Sequence, residues 1–143
     1  MAAESTANAV WEGDLAHGGG RVAPGSGAFD EQEVTWASRT SRSAGKTSPE
    51  ELIAAAHAAC FAMALSNTLA KDGHTPEELH TSATVAFQPG EGITRIGLTV
   101  EGRVPGLDED GFRAAAQTAK ENCPVSQALA SVPEIALEAR LSS

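Results

Sequence analysis

The sequence predicts an α+β fold formed by a single domain over residues 1–143, and three observations lead to this prediction. An alanine- and leucine-rich stretch over 48–71 predicts a long central helix. Segments in which apolar and polar residues alternate precede and follow it, as expected for strands. The order strands, long helix, strands, helix, strand is typical of an α+β protein with a mainly antiparallel sheet.

Composition restricts the classes of function. The formal net charge is −9 and basic residues form no run, which argues against binding to nucleic acid or to an anionic membrane. The first eight residues lack the basic and apolar regions of a signal peptide, so a cytoplasmic location is expected. In that compartment structural disulfides are rare, and the two cysteines suggest redox chemistry. Since they lie far apart with no second ligand nearby, they make a poor zinc site.

The smaller elements follow from local patterns. Turn residues separate short strands before the long helix, and a polar segment over 37–47 leads into it. After the helix, two alternating runs predict a hairpin. Asp108 can cap a second helix, which the Cys123-Pro124 dipeptide interrupts. The predicted strands lie near 9–12, 21–23, 28–36, 80–88, 93–103 and 135–141, and the later helices over 108–122 and 125–130.

The long helix organises the rest of the chain. Ser48 as N-cap and Glu51 three residues later form a predicted capping box, and Gly73 suits the helix end. The run 52–65 is apolar except for His57. It is shorter than the roughly 20 residues that a membrane span requires, so burial in protein on every face is expected.

Cys60 lies in the middle of this run and Cys123 at the break in the later helix. A buried cysteine is often an inert packing residue. Two cysteines in such different settings nevertheless suit an attacking thiol and a resolving thiol.

A buried thiolate requires a positive partner to remain a nucleophile. His57 lies three residues before Cys60 and shares its helix face, although a lone histidine in a core helix is more often structural. Arg39 and Arg42, in the preceding polar segment, are the other candidates. Capping accounts for Glu51 but leaves Glu50 unexplained.

Five blocks of sequence carry a resemblance to a known family, and together they cover nearly the whole chain. They are Trp-Glu-Gly-Asp at 11–14, Thr-Ser-Pro-Glu-Glu-Leu-Ile at 47–53, Ala-Ala-His-Ala-Ala-Cys-Phe at 55–61, Val-Pro-Gly at 104–106 and Cys-Pro-Val-Ser-Gln at 123–127. The sequence resembles the OsmC/Ohr family of osmotically inducible and organic-hydroperoxide-resistance peroxidases, most closely its OsmC branch.

The resemblance implies that Cys60 is the peroxidatic cysteine and Cys123 the resolving cysteine. Arg39 is then the arginine that holds the thiolate, with Arg42 as a nearby rival, and Glu50 orients that arginine. The implied fold is an intertwined homodimer whose antiparallel strands wrap around long central helices. No metal or prosthetic group is implied, and an external dithiol or lipoylated protein recycles the thiols.

Helix geometry adds an argument that does not depend on the family. Glu50 and Cys60 are ten residues apart on one helix, and their backbones are therefore separated by about 15 Å of axial rise. An arginine cannot easily reach both within a straight helix. We therefore expect Glu50 of one chain to serve Cys60 of another, with a partner helix covering the remaining apolar face.

The resulting hypothesis is a thiol peroxidase, active in defence against oxidative or osmotic stress, that prefers organic hydroperoxides to hydrogen peroxide. Three alternatives remain at this point. They are a non-enzymatic stress-induced dimer with structural cysteines, an apolar-ligand carrier, and an acyl or thioester hydrolase that uses Cys60 with His57.

Overall fold

The order of strands and helices follows the sequence prediction, with one additional short helix before the long one. The structure is a computed structural model and describes residues 1–41 and 45–142. The chain divides into two compact units, residues 1–52 and residues 53–143. The elements are β1 (Ala7–Glu12), β2 (Gly19–Pro24), β3 (Gln32–Val34), α1 (Trp36–Thr40), α2 (Pro49–Lys71), β4 (Glu78–Gln88), β5 (Gly92–Arg103), α3 (Glu109–Asn122), α4 (Pro124–Ala128) and β6 (Glu134–Leu141).

The first unit contains an antiparallel sheet in the order β1-β2-β3, followed by α1. The prediction of a polar segment over 37–47 did not include α1. A complete capping box starts this helix, since the Ser38 amide donates to Thr35 Oγ1 at 3.0 Å and the Thr35 amide donates to Ser38 Oγ at 2.9 Å. A serine in place of the usual glutamate at the third helical position made the box hard to recognise in the sequence.

Helix α2 begins and ends at the predicted signals. The Glu51 amide donates to Ser48 Oγ at 3.0 Å, which is half of the predicted capping box, and the Glu51 carboxylate accepts from the Thr47 hydroxyl at 2.7 Å. At the other end, Gly73 has a φ of +85° and the His74 amide donates to the Leu69 carbonyl at 2.8 Å. This is the left-handed helix stop that glycine favours.

The second unit contains a sheet in the order β4-β5-β6. The hairpin of β4 and β5 is antiparallel, as predicted, whereas β6 lies parallel to β5. The parallel pairing follows from the long connection between these strands, because α3 and α4 carry the chain back before β6 begins. The expected mainly antiparallel arrangement is therefore confirmed, with one parallel pair in addition.

One face of α2 forms the core of the second unit. Phe61, Leu65 and Leu69 are at most 1% exposed and belong to a cluster that includes residues of β5 and α3. Each large apolar side chain buried in this way contributes about 1.5–3 kcal/mol. The remaining buried members of the cluster are Leu98, Val100, Val104, Phe112, Ala115, Ala116, Ala119 and Cys123.

The opposite face of α2 is exposed in the single chain. Ala55, Ala56 and Ala59 are exposed, and Met63 retains 73% of its accessible surface. Burial on every face is therefore wrong for one chain. With 23 residues α2 is also longer than the run 52–65, and it is long and apolar enough to cross a membrane by length and composition alone. Core helices of soluble proteins meet the same criterion.

Candidate active site

The two cysteines predicted from the sequence meet in the second unit. Cys60 lies half-buried on α2, and Cys123 is fully buried between α3 and α4. Both are free thiols, Cys60 packs against the core cluster that contains Cys123, and each thiol influences the ionisation of the other. Sequence reasoning placed each thiol on its element but could not show that they meet.

The break between α3 and α4 determines the position of Cys123. Its backbone lies in the extended region (φ −65°, ψ 119°), as expected for a residue before proline, and it ends α3 and begins α4. Its amide donates to the Ala119 carbonyl at 2.8 Å, and its carbonyl accepts from the Gln127 amide at 3.0 Å. Backbone hydrogen bonds to both helices therefore hold the thiol in position.

The two thiols have opposite tendencies to ionise. Burial raises the pKa of Cys60, and the neighbouring Cys123 raises it further against a hydrogen bond from the Val125 amide. Burial also opposes ionisation of Cys123, yet the nearby Ser126 amide, Cys60 thiol and Ser126 hydroxyl hold the pKa of Cys123 below its ordinary value. Within one chain the tendency to ionise is therefore greater at Cys123 than at Cys60.

Cys60 opens onto a groove of about 720 Å³ in the second unit. Methyl and methylene groups form much of its wall, from residues that include Ala59, Met63 and Pro124. The remaining wall residues are Ala56, Ala64, Asn67, Thr68, Lys71, Asp72, Thr118 and Asn122. Small molecules can therefore reach Cys60 from a surface that is largely apolar.

Arg39 and Glu50 form an ion pair in the first unit. The Arg39 Nε lies 3.1 and 3.0 Å from the two carboxylate oxygens of Glu50, and Nη2 lies 2.9 Å from Oε2. The Glu50 side chain is 4% exposed and the Arg39 side chain 32%. The Arg39 guanidinium also lies 5.8 Å from the centre of the Trp36 ring, within the range of a cation–π interaction.

Local folding explains how this pair forms. Arg39 belongs to α1 and not to a loop, and the Ser38 hydroxyl donates to the Thr47 carbonyl at 2.8 Å. This bond joins α1 to the residues that start α2, where Glu50 lies in the first turn. The catalytic role of the pair remains a prediction, and the rival Arg42 lies outside the described residues.

His57 is bonded to a residue that the sequence analysis overlooked. The ring is fully buried, and Nε2 lies 2.7 Å from Ser126 Oγ. Among the described residues Nδ1 has no hydrogen-bond partner. Burial lowers the pKa of His57, so the ring is neutral near pH 7 and does not supply the positive charge that a Cys60 thiolate requires. The sequence signal that could have drawn attention to Ser126 was its position three residues after Cys123, which begins a helix.

Metal chemistry receives no support from the side-chain arrangement. Over residues 1–41 and 45–142, no three His, Cys, Asp or Glu side chains form a group that could hold a metal ion. The absence of a prosthetic group remains a prediction.

Residues 42–138 match the family described as OsmC-like protein. Over its full length the chain is also 43% identical to the Escherichia coli (strain K12) protein named peroxiredoxin OsmC, all of which is covered. The chain belongs to the OsmC-like family. The family resemblance and the α+β fold predicted from the sequence are both confirmed.

The chain is also similar to more distant relatives in sequence and in structure. The organic hydroperoxide resistance protein of Xanthomonas axonopodis pv. citri is 35% identical over 57% of this OsmC-like chain and 58% of its own length. The crystal structure of an OsmC-like protein from Mycoplasma pneumoniae superposes with a TM-score of 0.74 and covers both chains completely. At 18% identity this likeness supports the fold alone.

The buried neutral His57 of this OsmC-like chain leads to a prediction about pH. Its pKa is lower in the folded than in the unfolded chain, where it is about 6.5. The unfolded state then binds more protons, so we expect the free energy of unfolding to decrease as the pH falls below about 6.5 and to level off below the folded pKa. Urea denaturation at pH 7.5, 6.5 and 5.5 measures this.

The matched variants are His57→Gln and His80→Gln, because the His80 side chain is 75% exposed. The pH dependence should weaken in His57→Gln and persist in His80→Gln. An equal dependence in wild type and His57→Gln would contradict the assignment.

Proposed function

We propose that this protein reduces organic hydroperoxides through a sulfenic acid on Cys60 and a Cys60–Cys123 disulfide. Its class, a cysteine-based peroxidase, follows from the family and from the full-length relative named peroxiredoxin. The observation that carries the mechanism is that the Cys60 and Cys123 thiols are neighbours in the same core cluster, beside an open groove. A thiol that can meet a second thiol without a large rearrangement is suited to disulfide formation.

The cycle has three steps. The Cys60 thiolate attacks the terminal oxygen of the hydroperoxide, the O–O bond breaks, and the alkoxide leaves as the alcohol after taking a proton. Cys60 is now a sulfenic acid. Cys123 then attacks the Cys60 sulfur, and the sulfenic oxygen leaves as water. An external dithiol, of the lipoyl type, exchanges with the disulfide and restores both thiols.

The first step requires a positive charge near Cys60, since burial raises the pKa of that thiol. The Arg39–Glu50 pair is suited to supply it, because the carboxylate fixes the guanidinium through two hydrogen bonds. We propose that the pair acts on Cys60 of a partner chain in a homodimer. The exposed apolar face of α2, which includes Ala55, Ala59 and Met63, supports this proposal because a second chain would bury it.

The groove favours substrates with an apolar tail. Alkyl groups buried against the methyl groups of Ala59 and Met63 contribute binding energy that hydrogen peroxide cannot provide. The groove could also hold an apolar ligand, as the carrier alternative requires, but the thiol contact favours the peroxidase. The hydrolase alternative loses support because His57 Nε2 is bonded to Ser126. A cytoplasmic location and a role in stress defence remain predictions.

The mechanism predicts distinct outcomes for three proteins treated with cumene hydroperoxide and a dithiol. Cys60→Ser should lose at least about 100-fold in turnover because the attacking sulfur is gone. With excess peroxide and no dithiol, Cys123→Ser should form the sulfenic acid and then, with a second peroxide, accumulate sulfinic acid, because the second cysteine is gone. Under the same conditions, intact mass should show that the wild type loses two hydrogens on oxidation. Turnover that survives in Cys60→Ser would refute the proposal.

Substrate preference can be measured with a series of primary alkyl hydroperoxides of increasing length. We expect kcat/KM to rise by about fourfold for each methylene that the groove buries, and to be lowest for hydrogen peroxide. The increase should stop once the chain exceeds the groove. A value for hydrogen peroxide equal to or above the whole series would show that the groove does not select the substrate.

A shared active site predicts complementation between two inactive variants. Glu50→Gln carries an intact Cys60, and Cys60→Ser carries an intact Glu50, so a mixed dimer has one complete site only if each site takes residues from both chains. Random assembly of equal amounts then recovers about a quarter of the wild-type activity. The two variants should be co-expressed, with each variant alone as the control. No recovery in a demonstrated mixed dimer would place Glu50 and Cys60 of one chain in the same site.

A further inference from the structure

Two kinds of contact hold the Arg39 guanidinium, and the proposed cycle uses only one of them. Glu50 contacts its edge, with Nε and Nη2 of Arg39 within 3.1 Å of the carboxylate oxygens. Trp36 contacts its face, because the central guanidinium carbon lies over the indole ring at 5.8 Å from the ring centre. Trp36 and Arg39 are three positions apart on α1 and therefore share a side of that helix.

The edge and face contacts restrict different motions of the guanidinium. Paired hydrogen bonds to a carboxylate direct a guanidinium within its own plane, but they leave it able to tilt about the line that joins the paired nitrogens. A ring against the face opposes that tilt, and an aromatic ring also attracts the positive charge. Tryptophan attracts a cation more strongly than phenylalanine or tyrosine does. Trp36 is therefore suited to fix the orientation that Glu50 leaves undetermined.

Helix α1 provides a fixed base for the Trp36 ring. The capping box of Thr35 and Ser38 sets its single turn, in which Trp36 is the first helical residue. Ser38 is 2% exposed, and its hydroxyl donates to the Thr47 carbonyl at 2.8 Å. The Thr47 amide in turn donates to the Glu33 carbonyl of β3 at 2.9 Å. Hydrogen bonds within the first unit thus join the helix that carries the ring to β3 and to the residues before α2.

We propose that Trp36 is a positioning residue for Arg39, and that its indole ring fixes the tilt of the guanidinium that stabilises the Cys60 thiolate. This inference rests on the proposed function and adds a residue to its first step. In this role Trp36 contacts neither the substrate nor the sulfur. Its loss should therefore weaken only what Arg39 contributes, and an aromatic replacement should serve better than an aliphatic one.

Alkylation of Cys60 by iodoacetamide measures this contribution, because the reaction depends on the thiolate and requires no peroxide. A Cys123→Ser background leaves Cys60 as the only thiol of the chain. At pH 7, Trp36→Leu should react about three- to fivefold more slowly than this parent, as expected for the loss of a half-buried cation–π contact. Trp36→Phe should recover most of the rate, whereas Arg39→Gln should lose about tenfold or more.

Trp11→Leu is the matched control. Trp11 is the other tryptophan of the chain, lies on β1 of the same unit and donates from its indole Nε1 to the Gly13 carbonyl at 3.0 Å. This variant should be alkylated at the rate of the parent, and urea denaturation should show that both leucine variants are folded. The proposal is overturned if Trp36→Leu reacts as fast as the parent, or if Trp36→Phe reacts no faster than Trp36→Leu.

A double variant separates positioning from a merely structural role. If Trp36 acts through Arg39, adding Trp36→Leu to Arg39→Gln should change the alkylation rate by less than about twofold. A further loss as large as that of Trp36→Leu alone would show that Trp36 acts independently of Arg39, and would refute the inference. If Arg39→Gln does not fold, the comparison of Trp36→Phe with Trp36→Leu decides by itself.

Fluorescence tests the contact between the two side chains directly. The chain has two tryptophans and no tyrosine, so the emission of Trp11→Phe comes from Trp36 alone. Acrylamide should quench this emission more strongly after Arg39→Gln, because the shorter side chain uncovers one face of the ring. Unchanged quenching would overturn the proposal. Stronger quenching together with an unchanged alkylation rate in Arg39→Gln would instead refute the role of Arg39 in the proposed function.

Discussion

The packing of one face of α2 against β5 and α3 is the interaction on which the rest of the second unit depends. Phe61, Leu65 and Leu69 fix the rotation of the helix about its axis, because they must all face the core. That rotation decides where the polar groups of the helix lie. His57 and Cys60 are three residues apart and share a face, so both meet the segment after α3, at Ser126 and Cys123 respectively.

The burial that stabilises the fold also disfavours the thiolate form of both cysteines. Removing a thiol from water raises its pKa, and the protein offsets this unequally at its two cysteines. At Cys123 the nearby Ser126 and Cys60 groups outweigh burial and lower the pKa, whereas at Cys60 burial outweighs the Val125 amide and the pKa is raised. The proposed mechanism therefore requires a positive charge from outside the chain at Cys60 but not at Cys123.

Sequence reasoning reached most of the fold because its signals were local. The caps at Ser48 and Asp108 and the break at Cys123-Pro124 each act within a few residues and lie where they were predicted. Sequence reasoning could not predict the Cys60–Cys123 contact, the parallel pairing of β6 or the His57–Ser126 bond, because each joins residues far apart in sequence. Helix α1 was missed for a different reason: it is one short turn whose capping box pairs Thr35 with Ser38 in place of the usual glutamate.

The crossover between β5 and β6 also has a consequence for how the protein matures. Parallel pairing forms only after the intervening chain has been placed, so it depends on contacts that are distant in sequence. The break that carries Cys123 lies in this crossover, and the thiols meet only when it has docked on α2. A chain in which this crossover has not docked therefore has two separate cysteines. The contact between the thiols is a property of the folded second unit and not of either helix alone.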